Sequence, residues 1–282
     1  MNKIKSLAVA VTLAVAAGSV HAQIATGFTG NGELFLSVWD KVGAQSYVRD
    51  LGVTLDNFGT AQAPASAAFV NTVDVNPSSN MSWGSDATWG TFTAGKTTAE
   101  ISAFTYDVYA LDHNGTSAPG KRRYLTTTNA DLTGWATEPL VQLSNSNLTQ
   151  FGIVDQYLDA INLVQTGAAD TTSNQSSIFT SGSPYMGGGF KLENWGGNAP
   201  FNTAANVGTG LDFYYLTRSG STGANEALAY KYGNAAGDAT FLLADNGTLS
   251  YQVAAVPEAE TWAMFGAGLL MVGAIARRRM AS

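Results

Sequence analysis

The sequence predicts a mainly β protein, an antiparallel sandwich or jelly-roll-like body with one amphipathic helix inserted near its middle. Three observations carry this. Of 282 residues, 31 are glycine and 12% are charged, with Thr, Ser and Asn abundant, which is the composition of a β-rich chain with many turns. Short stretches alternate large apolar side chains with small or polar ones, as half-buried strands do. Two such stretches flank Asp245-Asn246-Gly247, and Asn-Gly is a strong hairpin signal because both residues tolerate positive φ.

The elements follow in order. Glu33 to Trp39 mixes alternation with a short apolar run, and Ser46 to Leu51 comes after Gly43-Ala44, so the two read as strands joined by a short loop. Thr88 to Thr93 and Ala103 to Ala110 alternate in the same manner and are expected as strands. From Asn147, read as an N-cap, Leu148, Phe151, Val154, Leu158, Ile161 and Val164 recur every three or four residues. That spacing predicts a helix of about five turns, its apolar stripe on the sheet and Gln150, Asp155, Asp159 and Asn162 facing elsewhere. Gly187-Gly188-Gly189 reads as a loop entering a strand at Phe190-Lys191-Leu192. Leu211 to Thr217 and Ala227 to Tyr232 are further strands, and Ala239 to Ala244 with Thr248 to Val253 form the closing hairpin.

Both ends depart from this pattern. Lys3 and Lys5 precede an apolar run, Leu7 to Ala17, and Val20-His21-Ala22 supplies small residues before a cleavage position. Residues 1–22 are therefore expected as a secretory signal peptide, cut between Ala22 and Gln23. At the other end, Trp262 to Ala276 is uncharged and stops at Arg277, Arg278 and Arg279. As a helix it spans roughly 22 Å, a marginal crossing suited to a temporary stop in a membrane. Arginines beyond an apolar run stay cytoplasmic and a Trp favours the opposite interface, so residues 23–255 are expected outside the cytoplasm.

Pro257-Glu258, then Trp262, then a short apolar helix, then an arginine cluster resembles the PEP-CTERM sorting signal of Gram-negative bacteria. The resemblance covers residues 256–282 and rests on four features of different chemistry in the family's order. It implies recognition by an exosortase, a membrane-embedded transpeptidase that removes the helix. Pro257 and Glu258 match the first two recognition positions, Arg277 to Arg279 match the basic stop, and Ala259 stands where proline is usual.

Composition narrows the function of residues 23–255. Setting aside Lys3, Lys5 and Arg277 to Arg279 leaves nine basic residues against nineteen acids, since Glu258 and Glu260 lie beyond the body. Such a surface repels nucleic acid. Lys121-Arg122-Arg123, the one basic cluster, reads as a loop decoration. There is no cysteine, so an exported body must be stabilised by its core alone.

Catalytic signals are weak. His113 is the one histidine beyond the signal peptide, and there is no cysteine nucleophile, no Gly-x-Ser-x-Gly elbow and no phosphate-binding loop. No catalytic residue, cofactor or metal site is expected. Asp155 and Asp159 read as a solvated helical face. Trp83, Trp135 and Trp195 sit among Gly, Ser and Asn, and are the candidates for stacking on sugar rings. The expected function is thus an exported surface or extracellular-matrix protein, sorted by an exosortase and associated with exopolysaccharide. The alternatives are a carbohydrate-binding module using exposed Trp, or a secreted glycoside hydrolase working through two facing carboxylates.

Overall fold

The computed structural model describes residues 23–58, 73–74, 80–113, 122–130, 132, 144–164, 175–182, 184–218, 227–234, 236–254 and 268–272. The protein is mainly β. Its first strands are β1 (Glu33–Asp40), β2 (Gln45–Thr54), β3 (Val73–Asp74), β4 (Met81–Trp83), β5 (Thr105–Asp112) and β6 (Arg123–Thr128). After the helical region come β7 (Ser176–Phe179), β8 (Ala205–Asn206), β9 (Leu211–Arg218), β10 (Ala227–Asn234), β11 (Gly237–Asp238), β12 (Thr240–Leu243) and β13 (Leu249–Gln252).

These strands join into one curled sheet in the order β4-β13-β12-β9-β6-β5-β1-β2-β7, in place of the two facing sheets of the expected sandwich. Pairing is antiparallel except for the two-residue match of β3 with β10. The curl brings β4 back to β2 near the opposite end. There the Trp83 indole N–H donates to the Leu51 carbonyl at 2.9 Å and Arg49 donates to the Gly84 carbonyl at 2.5 Å. Helix α1 (Ala87–Phe92) fills the remaining gap, its Trp89 and Phe92 rings 5.4 and 5.7 Å from Tyr47.

Strand alternation then creates two cores. Leu34, Leu36 and Val38 of β1 point into the curl with Tyr106 and Val108, Phe213 and Tyr215, Phe241 and Tyr251. Phe58, following β2, plugs this interior against Phe213, Tyr232, Phe241 and Tyr251 at 5.1 to 6.3 Å. Phe35, Tyr109, Tyr124, Tyr214 and Leu216 point outward instead, under a cover of helices and irregular chain. The central strands are consequently buried on both faces. Side-chain filling of the inside of a small closed or nearly closed sheet is the general rule, and the outer cover explains why this one carries so many aromatics.

Three expectations need correction. Thr88 to Thr93 is helical, because Asp86 caps the first turn by accepting the Trp89 N–H at 2.7 Å and Trp89 and Phe92 bury one helical face. The middle helix is broken in two, α3 (Asn145–Gln150) and α4 (Gly152–Val164), with α2 (Thr98–Ser102) preceding both in the chain. Its N-cap is Ser144, reciprocally bonded with Asn147 as a capping box. At the break Gly152 lies against His113, where a Cβ would come within 3.0 Å of the ring. Finally, Phe190-Lys191-Leu192 is a turn, with Lys191 at positive φ. The closing hairpin is present as expected, although Gly247 alone of the Asn-Gly pair adopts positive φ.

Candidate functional site

The sequence-predicted site residues are scattered. Ala22, Trp135, Pro257, Glu258, Trp262 and Arg277, Arg278 and Arg279 lie outside the described residues, as does most of the expected 262–276 helix. Within that stretch residues 268–272 are helical, and Leu269, Leu270, Met271 and Val272 are 58 to 77% exposed. Among the described residues no helix is long and apolar enough to cross a membrane.

Trp83 and Trp195 do not present their rings to solvent. Trp83 stacks on Phe241 inside the curl with its N–H satisfied by Leu51. Trp195 is wholly buried between Tyr109 and Tyr157, each 5.5 Å away, and Phe35 at 6.3 Å. It reaches that position through three successive left-handed residues, Trp195, Gly196 and Gly197. A Cβ on Gly196 would meet the Gly189 carbonyl at 2.6 Å, so glycine is required there. Both indoles belong to the packing of the body, and stacking on a sugar would require breaking it.

What the sequence did not announce is a polar layer buried between α4 and the outer face of the sheet. Asp107 of β5 is fully buried, accepts the Thr203 hydroxyl at 3.2 Å and lies beside the Trp195 indole N–H, which closes no hydrogen bond. Burial holds its carboxyl well above the usual range, against the lowering effect of Thr203. The Tyr157 hydroxyl stands beside Ser37 and Ser46 in the same layer.

A second group sits at the break between α3 and α4. Asp155, expected on a solvated face, is fully buried, and its Oδ1 accepts the Gly27 N–H at 2.7 Å. Its other oxygen has no hydrogen-bond partner among the described residues. Burial pushes its carboxyl up to about 7 against the lowering effect of Gly27, and the negative charges of Asp159 and Asp112 add to the rise. Tyr109 feels both Asp107 and Asp155, and its buried hydroxyl has no hydrogen-bond partner among the described residues. Tyr124 donates to the Leu148 carbonyl, so the 2.7 Å contact between its oxygen and His113 Nδ1 requires the proton on Nδ1. Burial and the nearby Arg122 charge lower the His113 pKa, with Asp112 opposing. Arg123, from the basic cluster, is bound to Asp112 at 2.6 Å and Asp56 at 2.5 Å.

Asp155 was legible in retrospect. It stands four residues after Phe151 and three before Leu158, within the apolar stripe itself. Its polarity hid its position.

Three surface grooves flank α4 and the β7 edge. The first, about 530 Å³, runs between Gln23–Thr26 and the Asp159, Asn162 and Leu163 side of the helix. The second, about 650 Å³, lies on the other side of the helix against Phe179, Pro184 and Phe190. A third of about 440 Å³ separates α1 from β7. Among the described residues, Asp159 is the one acid lining any of the three. The buried layer can hold protons and fix loops, whereas the grooves are open to the surface.

No protein-family model, no curated protein and no solved structure matches this chain.

Proposed function

We propose that this chain is an exported surface or extracellular-matrix protein, delivered through a signal peptide over residues 1–22 and held at the inner membrane by its C-terminal helix. An exosortase then processes the Pro257-Glu258 signal and releases the body among exopolysaccharide. The observation that carries the reading is the run Leu269-Leu270-Met271-Val272, helical and solvent-exposed on every residue. Four consecutive exposed large apolar residues mark a surface meant for lipid or another apolar partner. The rest of the body supports it: a cysteine-free core filled on both faces of the sheet needs no disulfides in an oxidising compartment.

Polysaccharide contact, with Trp83 and Trp195 in the core, falls to the groove between α4 and Phe190, whose walls are apolar and whose rim carries Gln156 and Ser181. A glycosidase would require a second carboxylate facing Asp159 across one groove, and no observation favours that reading.

Intact mass and cell fractionation of the protein from its host, with and without the exosortase, test the proposal. The expected product begins at Gln23, ends near Pro257 and leaves the cell only when the exosortase is present. A protein that keeps Arg277 to Arg279 and stays in the membrane fraction in both strains refutes it.

A further inference from the structure

The first residues after the expected cleavage position are held more tightly than a chain end requires. The Asn162 side chain grips Ile24 from both sides, accepting its N–H at 3.1 Å and donating to its carbonyl at 2.9 Å. The Gln23 carboxamide donates to the Asn162 carbonyl at 3.3 Å. Ile24 is buried, Ala25 exchanges hydrogen bonds with Glu33 at 2.7 and 3.1 Å, and Gly27 donates to Asp155. Glu33, Asp155 and Asp159 therefore surround residues 23–27 with carboxylates. Asp155 and Asp159 have no ion-pair partner among the described residues, and the buried Asp155 Oδ2 has no hydrogen-bond partner. Asp159 lies one helical turn from Asn162, on the wall of the groove that Gln23 also lines.

We propose that this groove is the binding site for the chain's own α-amino group once the leader is removed, with Asn162 fixing Gln23 and Ile24 and Asp159 pairing with the new ammonium. The inference rests on the export reading. In the precursor, residue 23 contributes an uncharged peptide N–H; cleavage replaces it with a group that is cationic below about pH 8. Burial in the groove raises the Asp159 pKa, and an ammonium beside it would lower it. The clamp also governs a covalent fate of an N-terminal glutamine. Its amine can attack its own side-chain Cδ, forming a lactam as the Cδ–Nε2 bond breaks and ammonia departs. An amine held as an ammonium by Asp159 is not nucleophilic, and a carboxamide bonded to the Asn162 backbone carbonyl has less freedom to approach it.

The test compares three forms in mild detergent: the full chain, the chain beginning at Gln23 released from a fusion without added residues, and that second form acetylated on its α-amine. The Asp159 carboxyl is titrated by carbon NMR, its resonance assigned by Asp159→Asn. A midpoint lower by about 0.5 to 1 unit in the free-amine form than in the other two supports the site. Coincident midpoints in all three overturn it. In the free-amine form, Asn162→Ala removes both side-chain bonds to Ile24 and leaves Gln23 only the backbone carbonyl, so it should lose ammonia several-fold faster than the parent by intact mass, and equal rates overturn the clamp. A host-derived protein with a different N-terminus would overturn the leader reading and the occupancy of the site in the cell, whereas coincident midpoints overturn the site alone.

Discussion

Replacing Asp155 by Asn should remove one contribution to the pH dependence of stability between pH 4 and 7. The fold raises the Asp155 carboxyl from 3.8 to about 7, so the native state binds a proton that the unfolded chain has already released over that window. The sign follows: the contribution of Asp155 to stability is fully present below about pH 4, declines as pH rises, and is lost above about 7. Roughly three units at 1.36 kcal/mol each set an upper figure of about 4 kcal/mol, and movement of the Gly27 loop toward the charge reduces this to about 2 to 4. Asn keeps an acceptor for the Gly27 N–H and carries no charge at any pH. Urea unfolding of the full chain in mild detergent, followed by tryptophan fluorescence at half-unit steps from pH 4 to 8.5, measures both proteins. The variant should gain on the parent by 2 to 4 kcal/mol across the range, with Asp107 and His113 cancelling in the difference because both remain. A difference that stays flat within about 0.5 kcal/mol would refute the argument, since it would mean that Asp155 is ionised in the fold at no cost.

Phe58→Ala empties the middle of the inner core, where the ring touches four other aromatics, and should cost about 3 to 5 kcal/mol in the same unfolding assay. Gly247→Ala places a Cβ at φ +84 and 2.4 Å from the Trp89 ring, and should cost at least about 2 kcal/mol, with the loss read by thermal unfolding.

Strands that alternate along their length were legible from the residues. β1, β2, β5, β9, β10 and the closing hairpin all coincide with stretches read from pattern alone. β6 was not, because Arg123 and three threonines carry no apolar alternation. In the centre of the sheet the threonine hydroxyls donate to carbonyls of Thr127, Thr203 and Asn202, so a polar sequence occupies a strand buried from Tyr124 onward with its hydroxyls satisfied. α1 was misread because Trp89, Thr91 and Thr93 satisfy a period of two while Trp89 and Phe92 satisfy a period near three and a half. Asp86, three residues before Trp89, was the deciding signal. The acid layer under α4 was hidden for a different reason. The apolar stripe contained Asp155, but the neighbours that surround it, Gly27, Tyr109 and Tyr124, come from distant parts of the chain.

The curl of the sheet also fixes an order of events. β4, near the first third of the chain, pairs with β13, whose residues Leu249 to Tyr251 come last in the body. A chain made or threaded from its N-terminus must keep Trp83 and its edge waiting until almost everything else has emerged, and such distant pairings close slowly. The final hairpin therefore works as a latch. Whatever delays it, a ribosome, a translocation channel or a chaperone on the tail, leaves the inner aromatic core open to water.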